Sequence, residues 1–584
     1  MNSAIVNAPT VPGLLRERKN DHSLAMRVKK FGLWESITWA EYVTAVNALA
    51  AKMIDLGLEA GEHVSLLGEN RPEWCIADLA IQTAGAATVG VYTTSSAEQL
   101  AYHLAHSDSV GLILEDAEQL EKWLEIQHDF PDIRWVILME EEPYEGVHQW
   151  EEVIDAGMLL YGRDPSTVDQ RLATIDPDKT ALFIYTSGTT GDPKGAMLSH
   201  TNLLWAIEAL TGAIPISKHD ELLSFLPLSH IVERLISVTA PLKYGYSVSF
   251  TENLDTVMTN LQEIRPTVLF AVPRIWEKIH SLVELNMKDA HFLKRVTYAW
   301  ASKSLAKPKS SVHHMLAQLA TFKILRYRLG LDRVRVAISG AAPIAPEILA
   351  YFRGLGIDIR EGYGLTESTG LIAIHRENVV LGTVGPAFPG VEMKIAPDGE
   401  ILSKSPGNFI GYYKDPESTA EALSDGWLHT GDVGAIDENG MLSITDRKKD
   451  IIITAGGKNI APQKIENQLK SSIFINDAVV IGDRRRFVSA LLVLDEDNVT
   501  HWAMERQLSY TTYSDLTRNE EVVELIEEEV AKVNKTLARV ESIRKFIILP
   551  KRLYHEDGEV TATLKVKRSS IEQQYANEIE ELYA

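Results

Sequence analysis

Short apolar runs alternate with amphipathic stretches over the first half of the chain. Between about residues 36 and 250, runs typical of buried strands include His63–Leu67, Ala87–Val91 and 110–114. Strands that alternate with helices form βαβ units, so this pattern predicts a parallel sheet covered by helices. Residues 267–272 and 335–339 continue the pattern. Open α/β sheets bind ligands at the carboxyl ends of their strands, and we expect the functional site there.

The pattern changes after Asp446-Arg-Lys-Lys-Asp450. The apolar runs 479–481 and 490–494 precede an acidic stretch whose apolar residues recur at helical spacing: Val522, Leu525, Ile526, Val530, Val533 and Leu537. The glutamates of the same stretch form its solvated face. We predict the fold class as α/β, with a large multi-lobed body over residues 1–446 and a smaller α+β domain over residues 447–584.

Composition narrows the class of protein. The chain has 584 residues and a formal net charge of −23, which argues against nonspecific binding to nucleic acid. Cys75 is the only cysteine, so no disulfide within the chain and no multi-cysteine metal site can form. We see no signal peptide and no apolar stretch long enough to cross a bilayer. These features predict a cytoplasmic protein.

The segment Tyr185-Thr-Ser-Gly-Thr-Thr-Gly-Asp-Pro-Lys-Gly195 follows a predicted strand at 181–184. Glycines allow the backbone to approach a ligand closely, and the hydroxyls and lysine offer donors to anionic oxygens. The candidate phosphate-binding residues are Thr186, Ser187, Gly188, Thr189, Thr190, Gly191 and Lys194. A Walker P-loop has Gly-Lys-Ser/Thr entering a helix, and this order is Pro-Lys-Gly, so the segment predicts a different class of nucleotide enzyme.

Two later turns carry candidate nucleotide ligands. In Gly362-Tyr-Gly-Leu-Thr-Glu367, Tyr363 can stack on a purine and Glu367 can hold Mg²⁺ between phosphate oxygens. In Trp427-Leu-His-Thr-Gly-Asp432, the carboxylate of Asp432 is suited to both ribose hydroxyls. Either turn alone is typical of an ordinary loop. Their order behind residues 185–195 favours a nucleotide site.

Together these segments resemble the adenylate-forming superfamily of acyl-CoA synthetases, luciferases and adenylation domains. The resemblance extends over about residues 37–568 and includes Glu69-Asn-Arg-Pro-Glu-Trp74, Phe225-Leu-Pro-Leu-Ser-His230, Gly411-Tyr-Tyr413, and Asp446-Arg447 followed by Gly456-Gly-Lys-Asn-Ile460. The segments 225–234, 270–276 and 563–568 are most similar to long-chain fatty acyl-CoA synthetases. The family fold implied is a large N-terminal body with a mobile C-terminal domain.

The resemblance assigns roles to residues of this chain. Lys565 would bridge the acyl carboxylate and the α-phosphate, with Lys567 as a rival because Leu564 replaces the glycine common in the superfamily. Arg447 would hold the ribose, Lys449 would be the hinge, and His230 would lie with Arg234 near the acyl entrance. The implied nucleotide and thiol contacts further include Gly340, Ala341, Gly364, Thr366, Gly456, Gly457 and Lys458, with Thr186 and Glu367 as metal ligands. Lys448 and residues 484–486 are candidate contacts for CoA phosphates.

The implied activity is ATP-dependent activation of a fatty acid to an acyl-adenylate, followed by transfer to CoA, with Mg²⁺ as the metal. The alternative of the same chemistry is an acyl-acyl-carrier-protein synthetase or fatty acyl-AMP ligase. An alternative of another class is a non-catalytic sensor of acyl groups or nucleotide. The residues give no prediction of chain length or oligomeric state.

Residues 288–328 carry nine Lys or Arg against one acid, Asp289, with aromatic residues between them. This composition is compatible with a peripheral surface on the inner membrane that meets anionic headgroups, or with a surface that guides an amphiphilic substrate. It is also typical of two amphipathic helices whose lysines extend into water. Both interpretations stay open at the level of sequence.

Overall fold

The computed structural model describes residues 10–186, 192–288, 290–304, 311–554, 557–561 and 566–584. The N-terminal part contains two large twisted sheets and a smaller antiparallel sheet, and the C-terminal part contains its own sheet and helices. No helix in these ranges is long and apolar enough to span a membrane.

Sheet 1 contains the predicted strands of the first third of the chain. Its strands, from edge to edge, are Gly411–Tyr412, Lys194–Ser199, Thr180–Thr186, Ala87–Val91, His63–Leu67, Ser109–Leu114, Trp135–Leu138 and His148–Gln149. The strands from Thr180–Thr186 to His148–Gln149 run parallel, and Lys194–Ser199 turns back antiparallel to Thr180–Thr186. Every residue of Ala87–Val91 is buried, as expected for a strand covered by helices on both faces.

Sheet 2 supplies the second row of carboxyl ends. Its order is Ala373–Ile374, Ile359–Tyr363, Val336–Ser339, Val268–Ala271, Glu221–Ser224, Ser247–Phe250, Leu24–Lys30 and Leu33–Thr38. The inner strands are parallel, and the strands at the two edges are antiparallel to their neighbours. The predicted runs 267–272 and 335–339 therefore form adjacent parallel strands.

Sheet 3 is antiparallel and joins the two parts of the chain. It consists of Glu392–Ile395, Glu400–Lys404, Trp427–Ile436 and Leu423–Ser424, with Leu442–Arg447 paired to Trp427–Ile436. Arg447 is thus the last residue of a strand in this sheet. The next buried apolar residue, Ile452, belongs to the C-terminal core, so the connection between the two cores falls within residues 448–451.

The C-terminal part contains the hairpin Ile452–Ile453 and Asn459–Ile460 and a sheet in the order Ile475–Ile481, Val488–Leu494 and Ile543–Ile548. Val488–Leu494 is buried along its whole length. Alternate residues of this strand pack in two different apolar clusters, one on each face. The acidic helix Glu520–Asn534 buries Val522, Ile526 and Val530, as its spacing predicts.

Helices cover both faces of the large sheets, and many begin at a side chain that accepts a backbone N–H. Thr38 and Glu41 form a capping box at the start of Trp39–Asp55, and Ser199 and Asn202 form another at His200–Ala213. The other N-terminal helices are Val11–Glu17, Pro72–Thr83, Ala97–Ser107, Ala117–Ile126, Trp150–Arg163, Ser166–Ala173, Ile231–Arg234, Ala240–Tyr244, Val257–Ile264, Pro273–Lys288, Phe292–Ser302, Val312–Ala317, Lys323–Leu329, Pro346–Leu355 and Pro416–Ala422. The remaining C-terminal helices are Pro462–Lys470, Glu496–Glu505, Tyr513–Arg518, Arg568–Gln574 and Ala576–Tyr583.

The two parts touch through polar and cationic contacts of the helix Pro273–Lys288. Arg274 Nη2 donates to Asn476 Oδ1 at 2.9 Å, and Lys288 Nζ lies 5.7 Å from the centre of the Phe474 ring. A second contact joins sheet 3 to the helix Pro462–Lys470, because Gln463 N donates to Asp446 Oδ2 at 3.0 Å. Burial raises the pKa of Asp446 to about 6, although the hydrogen bonds from the backbone N–H groups of Gln463 and Arg447 act against the shift.

Candidate active site

Two turns lie side by side at the carboxyl ends of parallel strands in sheet 2. Gly340 and Ala341 follow Val336–Ser339, and Gly364 follows Ile359–Tyr363; the two strands pair with Ser339 opposite Glu361. Ala341 has a φ of +69°. The structure therefore brings together two turns that are predicted to contact a nucleotide, although 24 positions separate Gly340 from Gly364, and it places them at the edge where an open α/β sheet binds ligands.

The turn after Tyr363 is compact and depends on a glycine. A Cβ on Gly364 would lie 2.1 Å from the carbonyl oxygen of Gly370, so a side chain cannot fit. The turn closes when Gly370 N donates to Leu365 O at 2.8 Å and Leu365 N donates to Ser368 Oγ at 3.0 Å. Thr366 and Glu367 lie in the short 3₁₀ helix between these bonds.

Glu367 contacts the short strand Gly411–Tyr412, which is the neighbour of the strand that leaves the candidate phosphate loop. Tyr412 Oη donates to Glu367 Oε1 at 2.6 Å, and Phe409 N donates to Glu367 O at 2.8 Å. The strand Gly411–Tyr412 pairs with Lys194–Ser199. Burial, with the Glu367 carboxylate, raises the pKa of Tyr412 above its usual range, so its hydroxyl stays a donor and orients Glu367.

Lys194 and Thr186 face each other across the mouth of the candidate phosphate loop. They are register partners of the antiparallel pair formed by Thr180–Thr186 and Lys194–Ser199. The Lys194 ammonium contacts the hydroxyl of Ser418, lies 3.4 Å from Asp415 Oδ2 and lies 5.4 Å from the centre of the Tyr412 ring. The predicted residues Ser187, Gly188, Thr189, Thr190 and Gly191 lie outside the described residues.

The predicted ribose and purine residues form one cluster, joined by a hydrogen bond and an ion pair. Tyr363 Oη donates to Asp432 Oδ2 at 2.6 Å, while Arg447 Nε lies 3.6 Å from Asp432 Oδ1. Asp432 and Arg447 are also register partners in sheet 3. Burial, with the Asp432 carboxylate, raises the pKa of Tyr363 well above its usual range. A nucleotide sugar that approaches Asp432 thus meets a carboxylate already oriented from two sides.

His230 caps the helix Ile231–Arg234, because Val232 N donates to its Nδ1 at 3.4 Å. Arg234, which the sequence analysis placed with His230 near the acyl entrance, extends into the core instead. Its guanidinium is fully buried, forms an ion pair with Asp78 and lies 5.0 Å from the centre of the Trp74 ring. A buried guanidinium requires such partners, and Asp78 lies more than 150 residues away in sequence.

The C-terminal candidates differ in their exposure and in their partners. Gly456, Gly457 and Lys458 are exposed at the tip of the hairpin Ile452–Ile453 and Asn459–Ile460, and Ala455 N donates to Arg485 O at 2.9 Å. Lys449 is exposed, whereas Lys448 is paired with Asp398 at 2.6 Å and Glu400 at 3.1 Å. Lys565 lies outside the described residues. Lys567 N donates to Glu559 O at 2.8 Å.

Two of the three arginines at 484–486 contact the last helix, Ala576–Tyr583, and the third is exposed. Arg485 forms an ion pair with Glu580, and Arg486 donates to the backbone carbonyl of Tyr583 at 2.8 Å. Arg484 is 93% exposed in its side chain. Of the three arginines, Arg484 therefore has the guanidinium most accessible to a phosphate.

Three residues near the site were not assigned a role from the sequence. Asp415 and Ser418 hold the Lys194 ammonium, and Tyr412 orients Glu367. The pair Asp415-Pro416 is a helix start signal, and Asp415 accepts from Ser418 N at 2.9 Å. That signal predicts the helix Pro416–Ala422, yet it cannot reveal that its first turn faces a lysine 221 positions earlier.

Glu361, in the strand before the Gly364 turn, is a buried carboxyl next to the site. Its Oε2 has no hydrogen-bond partner among the described residues. Burial raises its pKa to about 8, so it carries a proton at neutral pH.

Comparison with known proteins identifies the family of the chain. The chain matches the AMP-binding enzyme family over residues 16–413 and the AMP-binding enzyme C-terminal domain over residues 449–584. It is 36% identical over 567 residues to the long-chain-fatty-acid–CoA ligase FadD15 of Mycobacterium bovis, covering 94% of this chain and 93% of the relative. It is 34% identical over 620 residues to the long-chain-fatty-acid–CoA ligase ACSBG2 of Xenopus laevis, covering 98% and 84%.

Solved structures share the fold at lower identity. The adenylation domain of a carboxylate reductase from Mycobacterium chelonae superposes with a TM-score of 0.77 at 23% identity, covering 100% of this chain and 92% of that one. ATP-bound MatB from Rhodopseudomonas palustris gives a TM-score of 0.71 at 23% identity, covering 97% and 99%. With family matches that cover most of its length, the chain belongs to the AMP-binding enzyme family.

Proposed function

We propose that the protein is a long-chain fatty acid–CoA ligase that uses ATP in two half-reactions. The observation that carries the proposal is the likeness, over more than nine-tenths of the chain, to relatives named as ligases of this kind. The clustering of Lys194, Glu367 and Asp432 around adjacent turns supports it. Consumption of ATP and CoA, with the single cysteine buried, fits a cytoplasmic enzyme.

In the first half-reaction, a fatty carboxylate oxygen attacks the α-phosphorus of ATP. The bond from that phosphorus to the bridging oxygen breaks, and pyrophosphate leaves with the electron pair. Two anions must approach each other, so the chain must supply positive charge. We assign Lys565 to the α-phosphate and the attacking carboxylate, and Lys194, with Thr186 and residues 187–191, to the phosphates that leave.

The residues at the loop mouth fit Mg²⁺. Glu367 is oriented by Tyr412, and Thr186 adds a hydroxyl at the end of its strand. Mg²⁺ commonly takes one or two protein ligands and completes its shell with water and substrate phosphates. When bound, Mg²⁺ would neutralise the charge that develops on pyrophosphate.

The nucleoside would occupy the cluster formed by the two turns of sheet 2. Asp432, held between Tyr363 and Arg447, is the proposed acceptor for the ribose hydroxyls. The ring of Tyr363 and the backbone of Gly340, Ala341, Gly364 and Thr366 are the proposed surroundings of the base. Because Tyr363 and Arg447 hold the Asp432 carboxylate, its contact with the ribose would require little further ordering of that side chain.

In the second half-reaction, the CoA thiol attacks the acyl carbonyl and AMP leaves. The hairpin tip with Gly456, Gly457 and Lys458 is the proposed wall for the pantetheine, reached by rotation about Lys449. In the present arrangement the tip is exposed, and a Cβ on Gly457 would meet no atom within 4 Å. A role in thiol transfer therefore requires the C-terminal domain to reorient, as lids and mobile domains do in other enzymes.

The second candidate acceptor is a protein-borne pantetheine. One solved relative in fold is a carboxylic acid reductase didomain that contains a peptidyl carrier protein, and it matches this chain with a TM-score of 0.74. A non-catalytic sensor is disfavoured, because the clustered Lys194, Glu367, Asp432 and Arg447 are the groups that the chemistry needs.

The deciding experiment measures thioester formation from ATP and acids of medium to very long chain, with free CoA or with a phosphopantetheinylated carrier protein as acceptor. We expect thioester with free CoA and the highest kcat/KM for long-chain acids. Product with the carrier protein alone would replace the proposal by an acyl-carrier-protein synthetase. Acid-dependent exchange of pyrophosphate into ATP with no thioester would indicate a fatty acyl-AMP ligase, and no exchange would indicate a sensor.

A further inference from the structure

One side of the N-terminal body is both apolar and basic. We define this basic apolar face as the exposed side of the helices Phe292–Ser302, Val312–Ala317 and Lys323–Leu329 and of the π turn Gln318–Phe322. Of the 22 strongly exposed large hydrophobic side chains in the described part of the chain, 10 belong to this face. Phe292, Leu293, Val312 and Leu319 are 71, 68, 72 and 69% exposed. A surface this apolar is typical of an interaction site.

The opposite side of these helices packs into the core, so packing fixes which side of each helix is exposed. The buried side chains are those of Tyr298, Ala301, Ala317 and Phe322, which pack in an apolar cluster together with Trp276 and Phe352. Tyr298 Oη donates to Glu284 Oε1 at 2.5 Å. Phe292, Val296 and Trp300 recur every four residues, so they form one stripe opposite Tyr298 and Ala301.

The π turn keeps the exposed apolar side chains before it and after it on the same side of the helices. Val312, Met315, Leu316 and Leu319 follow helical spacing, and Ile324 then comes five residues after Leu319. A π turn accommodates one additional residue, so Ile324 stays on the exposed side while Phe322 turns into the core. The exposed apolar side chains therefore continue along the whole length of the face.

The exposed cations of the face have no carboxylate partner in the part of the chain that the structure describes. Its exposed Lys and Arg side chains are Lys294, Arg295, Lys303, Lys323 and Arg328. None of these five forms an ion pair with a carboxylate within the described ranges, and the sequence has no Asp or Glu between Asp289 and Asp332. The remainder of the chain is strongly acidic, with a formal net charge of −23 for the whole. The face is thus a local positive region on an anionic protein.

We propose that the basic apolar face docks the protein on the surface of an anionic lipid bilayer. At the boundary between headgroups and acyl chains, phosphates lie directly above hydrocarbon, which matches apolar side chains flanked by cations on the same helices. An acidic protein partner would pair with the cations but would bring hydrated carboxylates against Phe292 and Leu319, so it fits the apolar stripes less well. The proposal does not depend on the proposed catalytic function.

The test is co-sedimentation of the full chain with vesicles, without substrate. Vesicles of equimolar phosphatidylglycerol and phosphatidylcholine are compared with vesicles of phosphatidylcholine alone. We expect binding to the anionic vesicles and weaker binding as salt is raised, because the Debye length falls from about 10 Å at 0.1 M to about 3 Å at 1 M. The double variant Lys294→Glu/Arg295→Glu should bind at least about tenfold more weakly.

A matched control separates the face from net charge. Lys179→Glu/Lys218→Glu changes the charge of the chain by the same amount at exposed lysines elsewhere, and it should bind like the wild type. Leu293→Ser/Leu319→Ser should weaken binding at constant charge, and Leu159→Ser, at a residue 66% exposed on another helix, should not. No binding to anionic vesicles, or equal losses in the two charge variants, would overturn the proposal. So would a wild-type dimer in solution that Leu293→Ser/Leu319→Ser converts to monomer, since the face would then bind a second copy.

Discussion

At the scale of single residues, the candidate site consists of charges with defined partners. Asp432 accepts from Tyr363 and lies beside Arg447, Glu367 accepts from Tyr412, and Lys194 rests against Asp415 and Ser418. A triphosphate that recruits Lys194 must compete with Asp415. Asp432 and Glu367 are therefore each oriented by a tyrosine, and the partner that a triphosphate would replace is Asp415, which holds Lys194.

The first residue-scale prediction concerns Glu367→Gln. The amide keeps the size and can still accept from Tyr412, but it removes the negative charge that would hold Mg²⁺. We expect acid-dependent pyrophosphate exchange to fall by at least about tenfold and the Mg²⁺ concentration needed for half-maximal exchange to rise. The exposed Glu392→Gln is the control. Unchanged exchange at limiting Mg²⁺ would remove Glu367 from the metal site.

The second prediction concerns the buried carboxyl of Glu361. Its pKa is about 8 in the folded protein, against 4.5 for an ordinary glutamate, so the folded state holds a proton that the unfolded state loses. Between these values stability falls as pH rises, by up to about 1.4 kcal/mol per pH unit. Below the lower value and above the higher value, this group contributes no pH dependence.

Glu361→Gln removes the loss of stability that the Glu361 carboxyl causes as pH rises. The urea midpoint of the variant should therefore rise relative to the wild type as pH increases from about 5 to about 8. Glu377→Gln, at an exposed position, should show a constant difference. Glu115 and Glu233 also have pKa values raised to about 7 by burial, but both remain in the variant and cancel in the comparison. A midpoint difference for Glu361→Gln that does not change with pH would contradict the assignment.

At the scale of elements, the two turns of sheet 2 act through backbone geometry. The turn that presents Thr366 and Glu367 folds tightly against Gly370. Adjacent parallel strands place this turn beside Gly340 and Ala341, and the strand Gly411–Tyr412 joins it to the strand of Lys194. The positions of the charged groups thus follow from strand pairing.

The element-scale prediction compares two alanines in one turn. In Gly364→Ala the new Cβ would lie 2.1 Å from Gly370 O, so the turn must shift and displace Glu367. A displacement of about 1 Å can cost about a hundredfold in rate, so we expect a large loss of pyrophosphate exchange. In Gly362→Ala the nearest atom to the new Cβ would be Ile374 Cδ1 at 3.7 Å, an ordinary contact, and exchange should stay within about threefold. Equal activities would show that the turn tolerates displacement.

At the scale of the whole molecule, two cores are joined by residues 448–451 and by a few polar contacts. Asp446 in sheet 3 accepts from Gln463 at the start of a C-terminal helix, and Arg274 donates to Asn476. An interface of this kind permits domain motion. The exposed hairpin tip is consistent with a domain that presents different surfaces in the two half-reactions.

The whole-molecule prediction separates those half-reactions. Lys565→Ala should lose pyrophosphate exchange by orders of magnitude yet still convert supplied acyl-adenylate and CoA to thioester, because its charge is needed only when two anions meet. Gly457→Leu should form adenylate and lose thioester formation, since a side chain would block the thiol path and the φ of +70° disfavours it.

Two control variants test the assignment of Lys565 and the role of the hairpin tip. Lys567→Ala should keep exchange; if it shows the defect expected of Lys565→Ala, the assignment is displaced by two residues. Gly440→Leu, at a glycine in a turn of sheet 3 with a φ of +77° and no atom within 4 Å of a new Cβ, carries the same backbone strain as Gly457→Leu and should keep both half-reactions near the wild-type level. Loss of the same half-reaction in Lys565→Ala and Gly457→Leu would contradict a C-terminal domain that alternates between two positions.

The sequence by itself determined the elements and the chemistry of this protein. Alternating apolar runs predicted the parallel strands, and the spacing of the acidic segment predicted the helix Glu520–Asn534 with its buried face. These patterns are local, because a strand or an amphipathic helix must bury one set of its own side chains. The family motifs likewise identified the AMP-binding family, since they carry the residue types that the reaction needs.

Only the tertiary structure decided which distant residues meet. Lys194 lies against Asp415, Tyr363 against Asp432, and Arg234 against Asp78, and each pair is separated by at least 69 positions. It also decided that the basic apolar face is exposed, whereas the helical spacing of its apolar residues describes helices packed in the core equally well. The physical reason is the same in both cases: contact and burial depend on how sheets and helices pack, and packing is a property of the whole chain.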